Sequence, residues 1–189
     1  MRCQFLKLFK IFLFFTFFLI AVPAFAYQTV AMDFVGLWYK MNYINNERDA
    51  IVHYVRQGYN KDTWSESIVF HTFKWTKESG MSARELMQSL LAEVRKKNSS
   101  LKVEYVKKHE EDMIVSWCVD KNELMDAHCE ILRTTQSFEG ALSIHYINKN
   151  PKDFLYVKQD WLNKIRKARI YQSYFRQDRI LNKALTFEL

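Results

Sequence analysis

The sequence predicts an α+β fold, a central antiparallel sheet of about six strands flanked by two main amphipathic helices. Three observations carry this. Apolar residues alternate with polar ones over several short segments. Two longer segments instead repeat apolar residues every three to four positions and begin with helix-capping residues. The 189 residues include only 4 Gly and 2 Pro and show no linker or repeat, so they form one domain. A hydrophobic content of 49% and an aromatic content of 16% exclude a disordered chain.

Residues 1–26 are read as an address. Arg2, Lys7 and Lys10 make a basic start, Ile11 to Val22 run without a charge, and Ala24-Phe25-Ala26 offers small residues where a signal peptidase cuts. The expectation is a signal peptide cleaved after Ala26 and a domain over 27–189, periplasmic or secreted, with no transmembrane segment in the mature chain. Cys3 leaves with the leader. The remaining 163 residues carry net +4 instead of +7, three cations having gone. Two cysteines remain, Cys118 and Cys129, and an even pair in an exported chain predicts a disulfide.

In order along the mature chain, Tyr27 to Asn46 is aromatic and fits either a helix or a strand. Ala50 to Arg56 is a strand, Gly58, Asn60 and Asp62 mark a turn, and Glu66 to Trp75 is a second strand. Ser82 to Lys97 is a helix: Ser82 and Glu85 form a capping box, Leu86, Leu90 and Val94 a stripe, and Lys96 and Lys97 suit the negative end. Strands follow at Leu101–Val106, Met113–Val119, His128–Thr135 and Ala141–Ile147, with charged or polar turns between them. A hairpin centred in residues 120–127 sets Cys118 directly opposite Cys129. Asn150-Pro151 opens the last helix, whose stripe is Phe154, Val157, Trp161, Ile165 and Ala168, running to Tyr171 or beyond.

Gly58-Tyr59 followed by Trp64-Ser65-Glu66-Ser67-Ile68 at a strand entry, together with the element order over roughly residues 48–170, resembles the PsbP-like fold. The layout is also similar to that of small exported bacterial proteins of unassigned function. The PsbP-like resemblance implies a sheet between helices and a binding or assembly role. It transfers no metal or partner site, because no ligand motif here matches one.

No nucleophile elbow, P-loop, dinucleotide fingerprint or zinc-protease motif is present, so no catalytic residue, cofactor or metal is assigned. His53 and His71 are read as cross-strand neighbours around Asp62, hydrogen-bonded among apolar side chains rather than as ligands. His109-Glu110-Glu111-Asp112 is read as a solvated turn.

The charge asymmetry lies at the C-terminus. Lys152 to Lys183 holds nine Lys/Arg against three Asp, net +6, which leaves the rest of the mature chain at −2. Lys158, Lys164, Arg166, Lys167 and Arg169 crowd one helix face and form the candidate surface for an anionic partner, an envelope protein or an anionic lipid surface. Export makes nucleic acid an unexpected partner. The sequence thus points to a non-catalytic binding or assembly module. An envelope enzyme using scattered residues such as His53, His71 and Glu66, or a secreted effector, are the alternatives.

Overall fold

The computed structural model describes residues 27–33, 38–56, 63–173 and 184–188. The expected leader over residues 1–26, the expected turn at Gly58, Asn60 and Asp62, and most of the tail beyond Ser173 lie outside the described residues. Among the described residues, ten strands and three helices follow one another: β1 (Tyr27–Asp33), β2 (Trp38–Asn45), β3 (Asp49–Arg56), β4 (Glu66–Phe73), α1 (Trp75–Ser79), α2 (Ala83–Lys97), β5 (Val103–His109), β6 (Asp112–Val119), β7 (His128–Ser137), β8 (Gly140–Asn148), α3 (Pro151–Lys167), β9 (Arg169–Ser173) and β10 (Ala184–Glu188).

Seven strands form one antiparallel sheet in the order β2-β3-β4-β8-β7-β6-β5, and a second sheet has the order β10-β1-β9. The α+β class is as expected, with one more strand in the main sheet and an additional three-stranded sheet. The ambiguous stretch from Tyr27 contributes two strands, β1 and β2, in keeping with its β-branched and aromatic content.

Strand alternation divides the core into two layers. Ile68, Phe70, Ile131, Ile144 and Tyr146 pack with Phe154, Trp161, Leu162 and Ile165 of α3. Met113, Val115, Trp117, Val119 and Leu132 project to the opposite face and pack with Met87 and Leu91 of α2. The two long helices therefore cover opposite faces. β1 joins the α3 side, where Val30 and Met32 enter the core and Gln28 Nε2 donates to Thr72 Oγ1 at 3.0 Å.

The caps are those the sequence shows. Ser82 accepts from the Glu85 amide at 3.2 Å while Glu85 accepts from the Ser82 amide at 2.8 Å. Asn150 Oδ1 accepts from the Lys152 amide at 3.1 Å, with Pro151 in the first turn.

Trp75 does not continue β4, as expected, but starts the short helix α1. The cause is local. Thr76 Oγ1 donates to Phe73 O at 2.6 Å and accepts from the Ala141 amide at 2.6 Å, turning the chain off the sheet. Gly140 is required opposite this corner, because a Cβ there would meet Phe73 O at 2.3 Å and φ is +136°.

α3 also ends earlier than expected, at Lys167, because residues 169–171 pair with β1: Ala31 opposes Arg169, Val30 opposes Ile170 and Thr29 opposes Tyr171. Strand pairing overrides a helical pattern that the sequence continues. β5 likewise runs through Lys107 and Lys108 to His109, past the expected turn, with a bulge between Tyr105 and Lys107. Cys118 and Cys129 are opposite one another in the β6–β7 ladder and form the disulfide.

Candidate functional site: a basic corner at the end of α3

The site is built on a helix held firmly at both ends. Asn150 fixes the start of α3. Along its length, the Trp161 ring stacks on Tyr146 with centroids 4.2 Å apart and receives Trp38 edge-on at 5.7 Å.

The C-terminal end is closed by a side chain from the sheet. Arg133, buried on β7, donates from Nη1 to Ile165 O at 2.8 Å and to Ala168 O at 2.9 Å. The same guanidinium donates to Asp112, from Nε at 2.8 Å and from Nη2 at 3.1 Å. Burial alone would raise the Asp112 pKa, but hydrogen bonds from Arg133 and Lys107, and their charges, hold it below the usual carboxylate value. Helix carbonyls at a C-terminus repel anions. Arg133 takes up two of them here, so the negative end of α3 is partly neutralised.

The five predicted basic residues divide in the structure. Lys158 pairs with Glu104 of β5 and faces a separate hollow of about 340 Å³ beside Trp117 and Cys118. Lys164 pairs with Asp160 one turn back and lies over the Trp161 ring, its side chain only 11% exposed. Arg166, Lys167 and Arg169 remain together. They line one concavity of about 640 Å³ with Ala31, Met32, Asp33, Ala168 and Tyr171. Among the described residues these three cations have no ion-pair partner. Asp33, at the end of β1, places one carboxylate in the same hollow.

Sequence reasoning found the cations but not the residue that shapes the corner. Arg133 reads as an outlier only in retrospect, since an Arg amid Ile131, Leu132, Thr134 and Thr135 is rare in a buried strand without a carboxylate partner. The turn that holds this partner is solvated as expected at His109, Glu110 and Glu111, which are exposed, but Asp112 is half-buried and pairs with Arg133. Glu110 of the same turn is also paired, with Arg84 at 2.8 Å.

A second polar cluster lies on the sheet face that carries α2, over β3, β4, β8 and β7. The expected cross-strand pairing of His53 with His71 is corrected by the register: His53 opposes Val69 and Ile51 opposes His71, so the histidines are diagonal neighbours on one face. His71 Nε2 is 2.9 Å from Asp49 Oδ1. Glu66 lies on the other face and pairs with Arg56.

A residue not singled out from the sequence, His145, completes the cluster. Its Nδ1 contacts Glu130 Oε1 and its Nε2 lies 2.8 Å from Ser143 Oγ. These contacts have the order of a serine–histidine–carboxylate relay. Ser143, however, is 0% exposed, and its strand is laddered to β4 on one side and β7 on the other, which commits the local amides that an oxyanion would need. What the network does directly is satisfy polar groups inside the sheet.

His53 is the exception, because among the described residues its buried Nε2 has no hydrogen-bond partner, and its ring meets Trp64 edge-on at 5.8 Å. Burial, then the charges of His145 and Lys149, lower the His53 pKa. Burial also lowers that of His71, against the opposing influence of Asp49. No group of three metal-ligating side chains converges among the described residues. Among them, too, no helix is long and apolar enough to cross a membrane.

No family model, curated protein or solved structure matches this chain. Its function must therefore be argued from its own residues.

Proposed function

We propose that the chain is an exported binding module that engages an anionic, phosphate-bearing surface through the corner formed by Arg166, Lys167 and Arg169. The observation that carries this reading is that the three cations share one concavity and, among the described residues, none is neutralised by a carboxylate in an ion pair. Lys158 and Lys164, by contrast, each have a carboxylate partner, Glu104 and Asp160. The ligand class that fits is an anionic lipid headgroup, reached by three flexible side chains on a rigid corner, each contributing about 1 kcal/mol near a charged membrane.

Export is supported by the Cys118–Cys129 bridge, which persists in oxidising compartments, and by the leader-like residues 1–26 with cleavage after Ala26. The PsbP-like reading is supported by the layering, helices on opposite faces of an antiparallel sheet, and it agrees with a binding role.

Vesicle cosedimentation tests the proposal. At low salt, vesicles containing phosphatidylglycerol retain the protein and phosphatidylcholine vesicles do not. Equal retention on both refutes the lipid reading, and an acidic envelope protein then becomes the partner to seek.

A further inference from the structure

α3 turns Phe154, Trp161, Leu162 and Ile165 into the core, and its other side faces outward. There Leu155, Gln159, Asn163 and Lys167 succeed one another at four-residue steps, with Lys152, Tyr156 and Arg166 beside them, and all are exposed. The outer side of a helix that only covers a core is polar or charged. This one carries Leu155 and Tyr156, 73% and 88% exposed, the two most exposed large hydrophobic side chains among the described residues.

Cations bracket this apolar pair. Lys152 lies one turn before it, and Arg166 and Lys167 of the basic corner lie about 16 Å further along the helix. None of the three has an ion-pair partner among the described residues. The two carboxylates of α3 are both engaged, Asp160 with Lys164 and Asp153 as acceptor from Asn150 Nδ2 at 2.7 Å. A partner for this side must therefore take up apolar surface and positive charge together. A free phosphate takes up only the charge. An anionic bilayer takes up both, because its phosphates lie directly above the acyl chains.

We infer that α3 lies along an anionic bilayer, with Leu155 and Tyr156 entering the boundary between headgroups and acyl chains while Lys152, Arg166 and Lys167 rest on phosphates. This rests on the basic-corner reading and adds to that site an orientation and a lipid-penetrating element. A tyrosine suits the headgroup level, its ring on the apolar side and its hydroxyl on the wet side. Penetration is confined to side chains. The stacking of Trp161 on Tyr146, and the closure of the Ile165 and Ala168 carbonyls by Arg133, hold the helix on the sheet. The helix is ordered before it docks, so docking adds little ordering cost.

An environment-sensitive fluorophore attached to Leu155→Cys tests this, beside the same fluorophore on Gln88→Cys, an exposed position of α2 on the opposite face of the sheet. On phosphatidylglycerol vesicles at low salt, the emission of the probe at 155 is expected to shift to the blue and that at 88 to stay unchanged. Soluble glycerol phosphate, a headgroup without a bilayer, should shift neither. The variant Leu155→Ala/Tyr156→Ala, with an unchanged circular dichroism spectrum, should bind these vesicles about tenfold more weakly than the wild type. A wild type that is retained on the vesicles while the probe at 155 does not shift, or a double-alanine variant that binds equally well, overturns the inference and leaves the basic corner standing. A blue shift of equal size at 88, or one produced by glycerol phosphate, also overturns it. A wild type that ignores the vesicles overturns both.

Discussion

Arg133 on β7 and Asp112 on β6 share two hydrogen bonds, and the same guanidinium closes two carbonyls at the end of α3. One side chain thus ties two strands to the turn from which Arg166, Lys167 and Arg169 project. Replacing Arg133 with Met leaves Asp112 without its bidentate partner and the carbonyls of Ile165 and Ala168 without their donor. A loss of about 3 kcal/mol is expected. Arg133→Lys recovers only part of it, because an ammonium cannot fork between carboxylate and carbonyls. Urea denaturation of the two variants measures both effects.

Gly140 occupies a position that tolerates no side chain. Both the left-hand φ and the 2.3 Å approach to Phe73 O oppose a Cβ, and the near atom is backbone, which cannot swing away. Gly140→Ala is expected to destabilise the protein by about 3 kcal/mol or more. Gly80, with φ +66° but open space around it, should cost only about 1 kcal/mol on the same change, by the same denaturation assay.

The histidine face gives stability a pH dependence of defined sign. His53 and His71 have native pKa values below that of a free histidine, about 6.5. The unfolded chain therefore takes up these protons first as pH falls. Their contribution is complete above about pH 6.5 and declines as pH drops from there through the native values. Asp112, whose native pKa is lowered, adds a separate loss at more acidic pH, as it is protonated and releases Arg133. The unfolding free energy, measured by urea titration from pH 7.5 to 5, should fall, and His53→Gln should flatten that slope. A pH-independent wild type would contradict the placement of both histidines.

The Cys118–Cys129 bridge closes a short hairpin, so Cys118→Ser/Cys129→Ser should lower stability by about 2–3 kcal/mol in the chain-entropy account. Alkylation of the unreduced mature protein should find no free thiol. Two modified cysteines would contradict the bridge.

Much of the architecture was legible before the structure because its signals are local. The Ser82–Glu85 capping box, the Asn150-Pro151 start and the hairpin placing Cys118 against Cys129 each depend on residues close in sequence. The misread elements depend on distant partners. Residues 169–171 leave the helix because β1, far away in the chain, offers a ladder. Trp75 leaves the strand because Thr76 meets the Ala141 amide. The same divide runs through the candidate site. A count of charges finds Lys158, Lys164, Arg166, Lys167 and Arg169, but only folding shows that Glu104 and Asp160 neutralise the first two. Arg133, His145 and Ser143 gain their significance from neighbours that no periodicity reveals.

The most direct test of the basic corner separates cation position from cation number. Flotation with anionic vesicles at low salt compares Arg166→Ala/Lys167→Ala/Arg169→Ala with Lys158→Ala/Lys164→Ala. The account predicts that the triple variant loses at least about tenfold in affinity while the double variant stays close to wild type. Losses that simply follow the number of charges removed, or a triple variant that binds like the wild type, would contradict it.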